Sequence, residues 1–396
     1  MNLSYRAEAE GLFSQLVAWR RDLHRHPELS FQEVRTSGIV ARTLLDLGYE
    51  VRTGVAQTGV VALLHGGRPG PTVMLRADMD ALPIQESSEA SYASAHPGVM
   101  HACGHDGHVA MGLGAATLLA RHAAELAGNI LFVFQPAEER DGGAAAMLAS
   151  GALHDPKPDI IFGLHLWNTL PAGRVIVQAG PFMAAADVLR IVVRGRGGHG
   201  GLPHETIDAI AVTGQVLTAL QTIVSRNVNP HDTAVLSIGM VHGGTAFNVI
   251  AETVELLGTL RTFEPTVRET VLARLRVLLD GVTAGMGAEA ELIVEPLTGP
   301  VINDPTASET ARLAALQLVG NAAVGRITPL MVSEDFAEYG KLAPSCFILL
   351  GSGNAELGLD APHHSPRFDF DERVLPTGAA LLAAVATRYL VEKAGT

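Results

Sequence analysis

The N-terminal part of the chain alternates between helical spacing and short, continuously apolar segments. Apolar side chains recur at Leu16, Trp19 and Leu23, which is the spacing of one helix face. Residues 130–134 and 160–165 are apolar runs typical of strands buried on both faces. This alternation of helices and strands predicts an α/β sheet flanked by helices.

The pattern changes after Gly180 and Pro181. Strands are predicted at 187–194, 234–241, 253–261 and 290–294, and helices at 205–226 and 267–281. This β-α-β-β-α-β order is typical of ferredoxin-like domains. The first pattern resumes from residue 307, with a strand at 347–350 and a closing helix at 376–391.

These patterns predict two domains, one of them discontinuous. Residues 1–183 and 298–396 form an α/β domain with a mixed sheet flanked by helices. Residues 184–297 form an inserted ferredoxin-like α+β domain, and the Pro- and Gly-rich residues 296–305 are the predicted return linker. A length of 396 residues also favours more than one core.

Composition narrows the class of protein. Hydrophobic residues make up 47% of the chain and charged residues 17%, which indicates a globular enzyme rather than a disordered protein. A formal charge of −13 disfavours nucleic acid and anionic membranes as partners. We expect no membrane-spanning helix and, because the N-terminus lacks an apolar signal core, a cytoplasmic location. The two cysteines provide no disulfide framework.

Potential metal ligands concentrate in residues 100–108, Met-His-Ala-Cys-Gly-His-Asp-Gly-His. Glu138 and Glu139 follow one predicted strand, and His165 ends the next. In open α/β sheets, ligands bind outside the carboxyl ends of the strands, so these side chains are predicted to lie at one edge. Cys, His and Glu bind zinc, manganese and cobalt. The sequence therefore favours a metal-dependent hydrolase.

Each of these residues also has a structural interpretation. A single buried histidine is more often a packed core residue than a ligand. The acidic run from Glu138 to Asp141 could be a solvated turn, or it could provide one metal ligand and one general base. Composition alone does not decide between these two.

Two other functions compete with a hydrolase. Gly195, Gly197 and Gly200 have the spacing of a dinucleotide-binding loop and would indicate an oxidoreductase. The following strand, however, ends in His242-Gly-Gly rather than in the acidic residue that would bind the ribose. A non-catalytic relative of a metalloenzyme would have a damaged base or ligand set, and the sequence has neither.

Five motifs carry a resemblance to a known family. They are residues 20–30 (Arg-Arg-Asp-Leu-His-Arg-His-Pro-Glu-Leu-Ser), 76–83 (Arg-Ala-Asp-Met-Asp-Ala-Leu-Pro), 100–108, 135–139 (Gln-Pro-Ala-Glu-Glu) and 333–336 (Ser-Glu-Asp-Phe). From Leu12 to the C-terminus the chain resembles the amidohydrolase branch of the metal-dependent aminoacylase and carboxypeptidase family. That branch includes hippurate hydrolases, N-acyl-amino-acid amidohydrolases and indole-acetyl-amino-acid hydrolases.

The resemblance implies a site with two divalent metal ions per subunit, drawn from manganese, zinc, cobalt or nickel. The implied ligands are Cys103, His105, Glu139, His165 and His364. Glu138 would be the general base, and Asp80 would support a ligand. Asp78 stands where peptidase branches carry a metal-binding histidine, and Cys103 would compensate for the absence of that histidine.

His364 is preferred to His363 because the family's ligand directly precedes a Ser-Pro or Asn-Pro pair. His101 and His108 are expected to lie outside the ligand set.

The inserted domain is implied to act as a lid and a dimerisation domain. His199 would stabilise the tetrahedral oxyanion, in the active site of the partner subunit. Asn248 and Arg261 would hold the carboxylate of an N-acyl amino acid substrate, for which an arginine fork is geometrically suited. The resemblance therefore implies a homodimer or a dimer-based oligomer, whereas by itself Arg261 could equally be a solvated strand end.

Overall fold

A computed structural model describes residues 5–140 and 142–394 of the protein. The helices are α1 (Tyr5–Gly11), α2 (Phe13–Arg25), α3 (Val34–Asp46), α4 (His105–Arg121), α5 (Gly143–Ala149), α6 (Ala209–Asn227), α7 (Pro265–Gly285), α8 (Pro305–Val319) and α9 (Leu375–Ala394). The first strands are β1 (Glu50–Val55), β2 (Gly59–His65), β3 (Arg68–Asp78), β4 (Ala127–Gln135), β5 (Ile160–Pro171), β6 (Val175–Ile176), β7 (Gly180–Met183) and β8 (Ala185–Arg194). The remaining strands are β9 (Gly198–His199), β10 (Ala234–Gly243), β11 (Val249–Ile250), β12 (Thr253–Thr262), β13 (Glu289–Thr298), β14 (Val301–Asn303), β15 (Val324–Gly325) and β16 (Ser345–Gly353).

The chain divides into two compact units. One contains the residues up to Phe182, Ile302–Thr328 and those from Asp335 onward. The other contains Met183–Val301 together with Pro329–Glu334. The assignment of catalytic and lid roles to the two predicted domains stays a prediction.

The first unit is built on an eight-stranded mixed sheet, so the predicted α/β class is confirmed. The strand order is β1-β2-β4-β3-β5-β16-β6-β15. Strands β4, β3, β5 and β16 are parallel neighbours, whereas β1 and β2 pair antiparallel at one side. The apolar faces of helices such as α4 and α9 are buried in the same core as these strands. The parallel arrangement places the carboxyl ends of β3, β4 and β5 at one edge.

The second unit is a four-stranded antiparallel sheet with two helices. Its strand order is β10-β12-β8-β13, and helices α6 and α7 pack on it. Apart from the two-residue strands β9 and β11, the order along the chain is β8-α6-β10-β12-α7-β13, which is the β-α-β-β-α-β order that the sequence predicts.

The structure differs from the sequence expectations in several segments, among them helix α1 and several two-residue strands. Strand β1 and helix α5 were not expected, and the predicted linker at 296–305 is largely strand, in β13 and β14. Pro296 is accommodated because β13 is an edge strand and its register shifts between Pro296 and Thr298. The sequence does not predict strand β1, because most of its side chains are exposed and it has no apolar run.

Helix α9 bears on the expectation that the chain has no membrane-spanning helix. The segment Glu372–Ala394 is long and apolar enough to cross a membrane, although no spanning segment was expected. Within the fold, 78% of its apolar window is buried. This burial is that of a core helix, which explains its composition.

Arg20 of α2 is a fully buried charge. Its Nε donates to Asp106 at 2.8 Å, and its other nitrogens lie 2.7 Å from Asp369 and 3.2 Å from Glu372. His24 contributes a further contact, with its Nδ1 2.8 Å from the same Asp106 oxygen. This ion cluster joins α2 to the start of α4 and to the segment before α9.

We predict that Arg20→Ala strongly destabilises the protein, because it leaves buried carboxylates without their counter-charge. The expected loss of unfolding free energy is about 3–5 kcal/mol. Arg35→Ala is the control, since Arg35 pairs with Asp22 at the surface with side chains 40% and 45% exposed. That loss should stay below about 1 kcal/mol. Urea denaturation followed by circular dichroism compares the two, and equal losses would contradict the prediction.

Candidate metal centre

The predicted metal ligands of the first unit come together at the carboxyl edge of its sheet. His165 lies in β5, Glu138 and Glu139 follow β4, and Asp80 follows β3. His105 is the first residue of α4, after Gly104, whose φ of 90° is in the left-handed region that favours glycine. The sheet edge is where ligands bind in open α/β folds.

The five proposed ligands form overlapping groups. Ligand atoms of Cys103, His105 and His165 all lie within 4.8 Å of one another, and so do those of Cys103, Glu139 and His364. Cys103 Sγ is 3.6 Å from His165 Nε2. Glu139 Oε1 is 3.3 Å from His364 Nε2 and 3.9 Å from His105 Nε2. Glu139 and Cys103 thus link the histidines into one cluster.

Two histidines of this cluster are oriented by backbone carbonyls. His105 Nδ1 donates to the carbonyl of Asp80 at 2.9 Å, and His165 Nδ1 donates to the carbonyl of Leu166 at 2.5 Å. In both rings the Nε2 atom therefore faces the cluster. Such support from the other ring nitrogen is the usual arrangement for metal-binding histidines.

Unsatisfied buried atoms support a bound cation. Among the described residues, His105 Nε2 and Glu139 Oε1 belong to a small set of buried polar atoms without a well-aligned hydrogen bond, a set that also includes both ring nitrogens of His101 and Oδ1 of Asp106. Of these, His105 Nε2 and Glu139 Oε1 face the other predicted ligands. Buried polar atoms nearly always have a partner, because leaving one unpaired costs about 1–3 kcal/mol. The mixed set of sulfur, imidazole and carboxylate donors fits zinc and other transition metals. The residues therefore fit the divalent cations that the sequence implies.

In the absence of a metal, the electrostatics of the cluster disfavour the thiolate form of Cys103 and favour a protonated His105. Burial, together with Glu139 and Glu138, raises the pKa of Cys103. Burial tends to lower the pKa of His105, but Asp78 and Asp80 prevail and raise it to about 10. Burial and the neighbouring His108 lower the pKa of His165, which keeps that ring neutral.

A second group, Asp78, His105 and His108, also has ligand atoms within 4.8 Å of one another. Asp78, however, is paired with Arg76 at 2.5 Å and accepts from His108 Nδ1 at 2.6 Å. His108 Nε2 accepts the N–H of Leu166 at 2.9 Å, so both of its nitrogens are already used. The geometry therefore favours the group built on Cys103, and it leaves His108 in a supporting position.

Asp80 organises the loop that carries the two glutamates. Its carboxylate oxygens accept the backbone N–H groups of Glu138 and Glu139, each at 3.1 Å. Ser30 donates to the same carboxylate at 2.9 Å. Asp80 is thus a supporting residue that fixes the loop and, through its carbonyl, His105.

Of the two adjacent histidines late in the chain, the geometry favours His364. His363 Nε2 accepts the N–H of Asn168 at 3.1 Å, and its ring packs between Trp167 and Phe368. Burial lowers the pKa of His363 to about 3, as expected for a packed neutral ring. His101 is also buried, and burial lowers its pKa to about 4.

In the second unit, His199 and Asn248 lie side by side. His199 in β9 pairs with Val249 in β11, and Gly200 donates to the carbonyl of Asn248 at 2.8 Å. The N–H of Gly201 donates to His199 Nδ1 at 3.0 Å, so Nε2 carries the ring proton. Both side chains are exposed. This leaves His199 with an outward-facing donor.

Arg261 lies in β12 of the same unit and is half-buried. Its guanidinium donates to the hydroxyl of Ser333 at 2.6 Å. Burial lowers its pKa, and in the described part of the chain it has no carboxylate in salt-bridge contact. Arg261 is therefore available to an external carboxylate.

The dinucleotide-binding interpretation of Gly195, Gly197 and Gly200 is wrong. The strand before them, β8, pairs antiparallel with both of its neighbours, whereas a dinucleotide site requires parallel β-α-β units. These glycines serve close backbone packing instead. A Cβ at Gly200 would lie 2.8 Å from the carbonyl oxygen of Asn248.

Sequence reasoning missed a buried polar network beneath the site. Arg76 contacts Gln135 at 2.9 Å and Asp335 at 3.0 Å, and Gln135 donates to Asp335 at 2.8 Å. Asp335 also accepts the N–H of Ala144 at 2.9 Å, at the start of α5. The signal was present, since Arg76, Gln135 and Asp335 all belong to the recognised motifs.

We predict that metal binding releases protons. At pH 7 the raised pKa values keep Cys103 and His105 protonated in the metal-free protein, and a ligand must lose its proton to bind. At least about one proton should be released, and affinity should fall as the pH falls. Isothermal titration calorimetry of Mn²⁺ binding in buffers of different ionisation enthalpy counts the protons. Binding without proton release would contradict the prediction.

Comparison with known proteins identifies the family. Residues 74–388 match the peptidase family M20/M25/M40. The chain is 41% identical over 378 residues to the N-acetylcysteine deacetylase of Bacillus subtilis, covering 95% of this chain and 97% of that protein. It is 47% identical over 291 residues to the N-acyl-L-amino acid amidohydrolase of Geobacillus stearothermophilus, covering 73% and 78%.

A solved structure extends the comparison to the fold. It is a dinuclear metal binding peptidase of Bacillus subtilis, from family M20. The TM-score is 0.85 and the sequence identity 38%, and the match covers 97% of this chain and 99% of that chain. The family match over residues 74–388 includes four of the five sequence motifs and all of the clustered side chains. The protein belongs to peptidase family M20/M25/M40 and is a metal-dependent hydrolase of that family.

Proposed function

We propose that the protein hydrolyses the amide bond of N-acyl amino acids, hippurate-like or related, and releases a carboxylic acid and a free amino acid. The observation that carries the proposal is the arrangement of the two adjacent carboxylates. Ligand atoms of His105, Glu138 and Glu139 lie within 4.8 Å of one another, and Glu139 Oε1 also lies 3.3 Å from His364 Nε2. The names of the deacetylase and amidohydrolase relatives support an N-acyl amino acid as substrate.

The two adjacent glutamates have different roles in the proposal, one as a metal ligand and one as the general base. Glu139 joins Cys103, His105, His165 and His364 as a ligand of two divalent metal ions, whose identity among manganese, zinc, cobalt and nickel is open. Such ions supply Lewis acidity toward the amide carbonyl and lower the pKa of water to about 7. Glu138 takes a proton from the attacking water and delivers it to the leaving nitrogen.

The second unit provides substrate binding and oxyanion stabilisation in the proposal. His199 of the partner subunit donates its Nε2 proton toward the oxyanion of the tetrahedral intermediate. Its Nδ1 accepts from Gly201, which supports the required tautomer. Arg261 and Asn248 hold the substrate carboxylate, which a guanidinium binds in a fork geometry. We also propose that the protein forms a homodimer, in which the inserted domain acts as a lid and a dimerisation domain. The proposed location is the cytoplasm.

We predict hydrolysis by the Mn²⁺-loaded protein of at least one member of a panel of N-acetyl, N-benzoyl and long-chain N-acyl amino acids. Glu138→Gln should abolish turnover, with a loss of more than about 100-fold, because the amide cannot accept the proton. Metal content should stay the same, since Glu138 is not assigned as a ligand. Release of the amino acid is followed by ninhydrin, and metal content by mass spectrometry.

Two results would contradict this assignment. Retained activity in Glu138→Gln would exclude Glu138 as the base, and lost metal would make it a ligand. A metal-loaded protein that hydrolyses no member of the panel would overturn the proposed activity.

A second prediction concerns the action of His199 across subunits. His199→Ala should lower kcat by about 100-fold or more, because an oxyanion donor is lost, while the exposed side chain adds little to stability. Mixed dimers of His199→Ala and Glu138→Gln subunits contain one intact composite site and should recover activity. Refolding the two inactive variants together measures this recovery. No recovery in verified mixed dimers would place His199 within its own subunit's site.

A further inference from the structure

The loop between β4 and the two glutamates contains a strained residue. Ala137 has a φ of 53°, in the left-handed region that residues other than glycine rarely adopt. It is fully buried and directly precedes Glu138. Strained backbone of this kind persists only where the surrounding contacts enforce it. The direction of the Glu138 and Glu139 side chains depends on this conformation.

A buried carboxylate, Glu33, contacts the strained residue. Its Oε1 accepts the N–H of Ala137 at 2.9 Å and the N–H of Phe31 at 3.0 Å. Its Oε2 accepts the hydroxyl of Thr58 at 2.5 Å. Glu33 has no exposed surface. Its carboxylate therefore ties the glutamate loop to two other segments of the first unit.

Glu33 and Asp80 together bind three successive backbone donors. Glu33 accepts the N–H of Ala137, and Asp80 accepts those of Glu138 and Glu139. On the other side of the loop, the carbonyl of Ala137 accepts the N–H of Gly143 at 3.0 Å. Both peptide groups that flank Ala137 are thus fixed, and truncation of Glu33 would leave a buried N–H without its partner.

The Glu33 side chain does not stabilise the helix that follows it. Glu33 occupies the N-cap position of α3, yet its side chain makes no capping hydrogen bond. A buried carboxylate is costly unless its oxygens are satisfied, and here they are satisfied by the glutamate loop and its neighbours. The placement of this charge is explained by the loop rather than by the helix.

We propose that Glu33 is a positioning residue for catalysis, whose carboxylate holds Ala137 in the left-handed conformation and thereby aims Glu138 and Glu139 into the metal centre. This inference rests on the proposed roles of those two glutamates. A small misplacement of reacting groups is enough to lower turnover strongly.

The test compares Glu33→Ala with Glu33→Gln in the full-length, Mn²⁺-loaded protein. Glu33→Ala should lower kcat by about 10- to 100-fold with a smaller change in KM. It should also weaken Mn²⁺ binding by about tenfold or more, because Glu139 moves with the loop. Glu33→Gln keeps an acceptor oxygen for Ala137 and should stay within about threefold of the parent protein in both measurements.

A second substitution links the effect to the strained backbone. Glycine adopts a positive φ without a steric penalty, so Ala137→Gly should compensate for part of the loss. In the Glu33→Ala background it should raise kcat by at least about threefold. No recovery, together with failure of Glu33→Gln to preserve turnover, would overturn the role assigned to the loop conformation.

The control is Asp304→Ala, which truncates another carboxylate of the first unit. Asp304 is the N-cap of α8 and accepts the N–H of Ala307 at 2.9 Å, away from the glutamate loop. It should lower the melting temperature without changing kcat or Mn²⁺ affinity. If Glu33→Ala behaves like Asp304→Ala, Glu33 has only a structural role and the inference is wrong.

Mn²⁺ affinity, measured by electron paramagnetic resonance, separates this inference from the proposed function. If no N-acyl amino acid is hydrolysed, the proposed activity fails, whereas weaker Mn²⁺ binding in Glu33→Ala still supports the positioning role. Unchanged Mn²⁺ binding in a folded Glu33→Ala protein would overturn it regardless of the substrate.

Discussion

The desolvation of charged groups at one edge of the sheet is the constraint on which the rest of the site depends. A buried ionised group is tolerated only when it is paired or hydrogen-bonded. Oδ2 of Asp106 is bonded by Arg20 and His24, whereas its Oδ1 has no hydrogen-bond partner among the residues that the structure describes. Asp78 is paired with Arg76 and His108. In the cluster of predicted ligands, His105 Nε2 has no hydrogen-bond partner within the described ranges of the chain, and Glu139 Oε1 lies 3.3 Å from His364 Nε2. A metal bound at this point would contact both atoms.

The same edge uses the backbone to aim side chains. Parallel strands bring residues distant in sequence to one line, and loops then set their directions. At the glutamate loop, Asp80 and Glu33 accept consecutive N–H groups and hold a left-handed alanine. His364, which also has a positive φ of 63°, donates its backbone N–H to the carbonyl of Ala102, one residue before Cys103. Local strain at two points of the cluster is thus balanced by contacts with other segments.

Much of the fold could be predicted because it follows from local patterns. Continuous apolar runs predict β4 and β5, and helical spacing predicts α2 and, within four residues of its ends, α7. The sequence does not predict β1, because an exposed edge strand needs no apolar run. It predicts a linker after Pro296, whereas β13 continues there because a proline at a sheet edge does not end a strand. Helix α9 has the composition of a membrane span, and only its 78% burial identifies it as a core helix.

The sequence by itself determined the fold class, the family and the residue types available for metal chemistry, because apolar periodicity and motifs are local properties of the chain. Only the tertiary structure decided how these residues are used. It shows His363 as a packed ring with its Nε2 bonded to Asn168, pairs Asp78 with Arg76 and His108, and rejects a dinucleotide loop through the antiparallel pairing of β8. It also shows Glu33 beneath the glutamate loop. Hydrogen bonds between residues far apart in sequence depend on the packing of whole strands, and no local pattern specifies them.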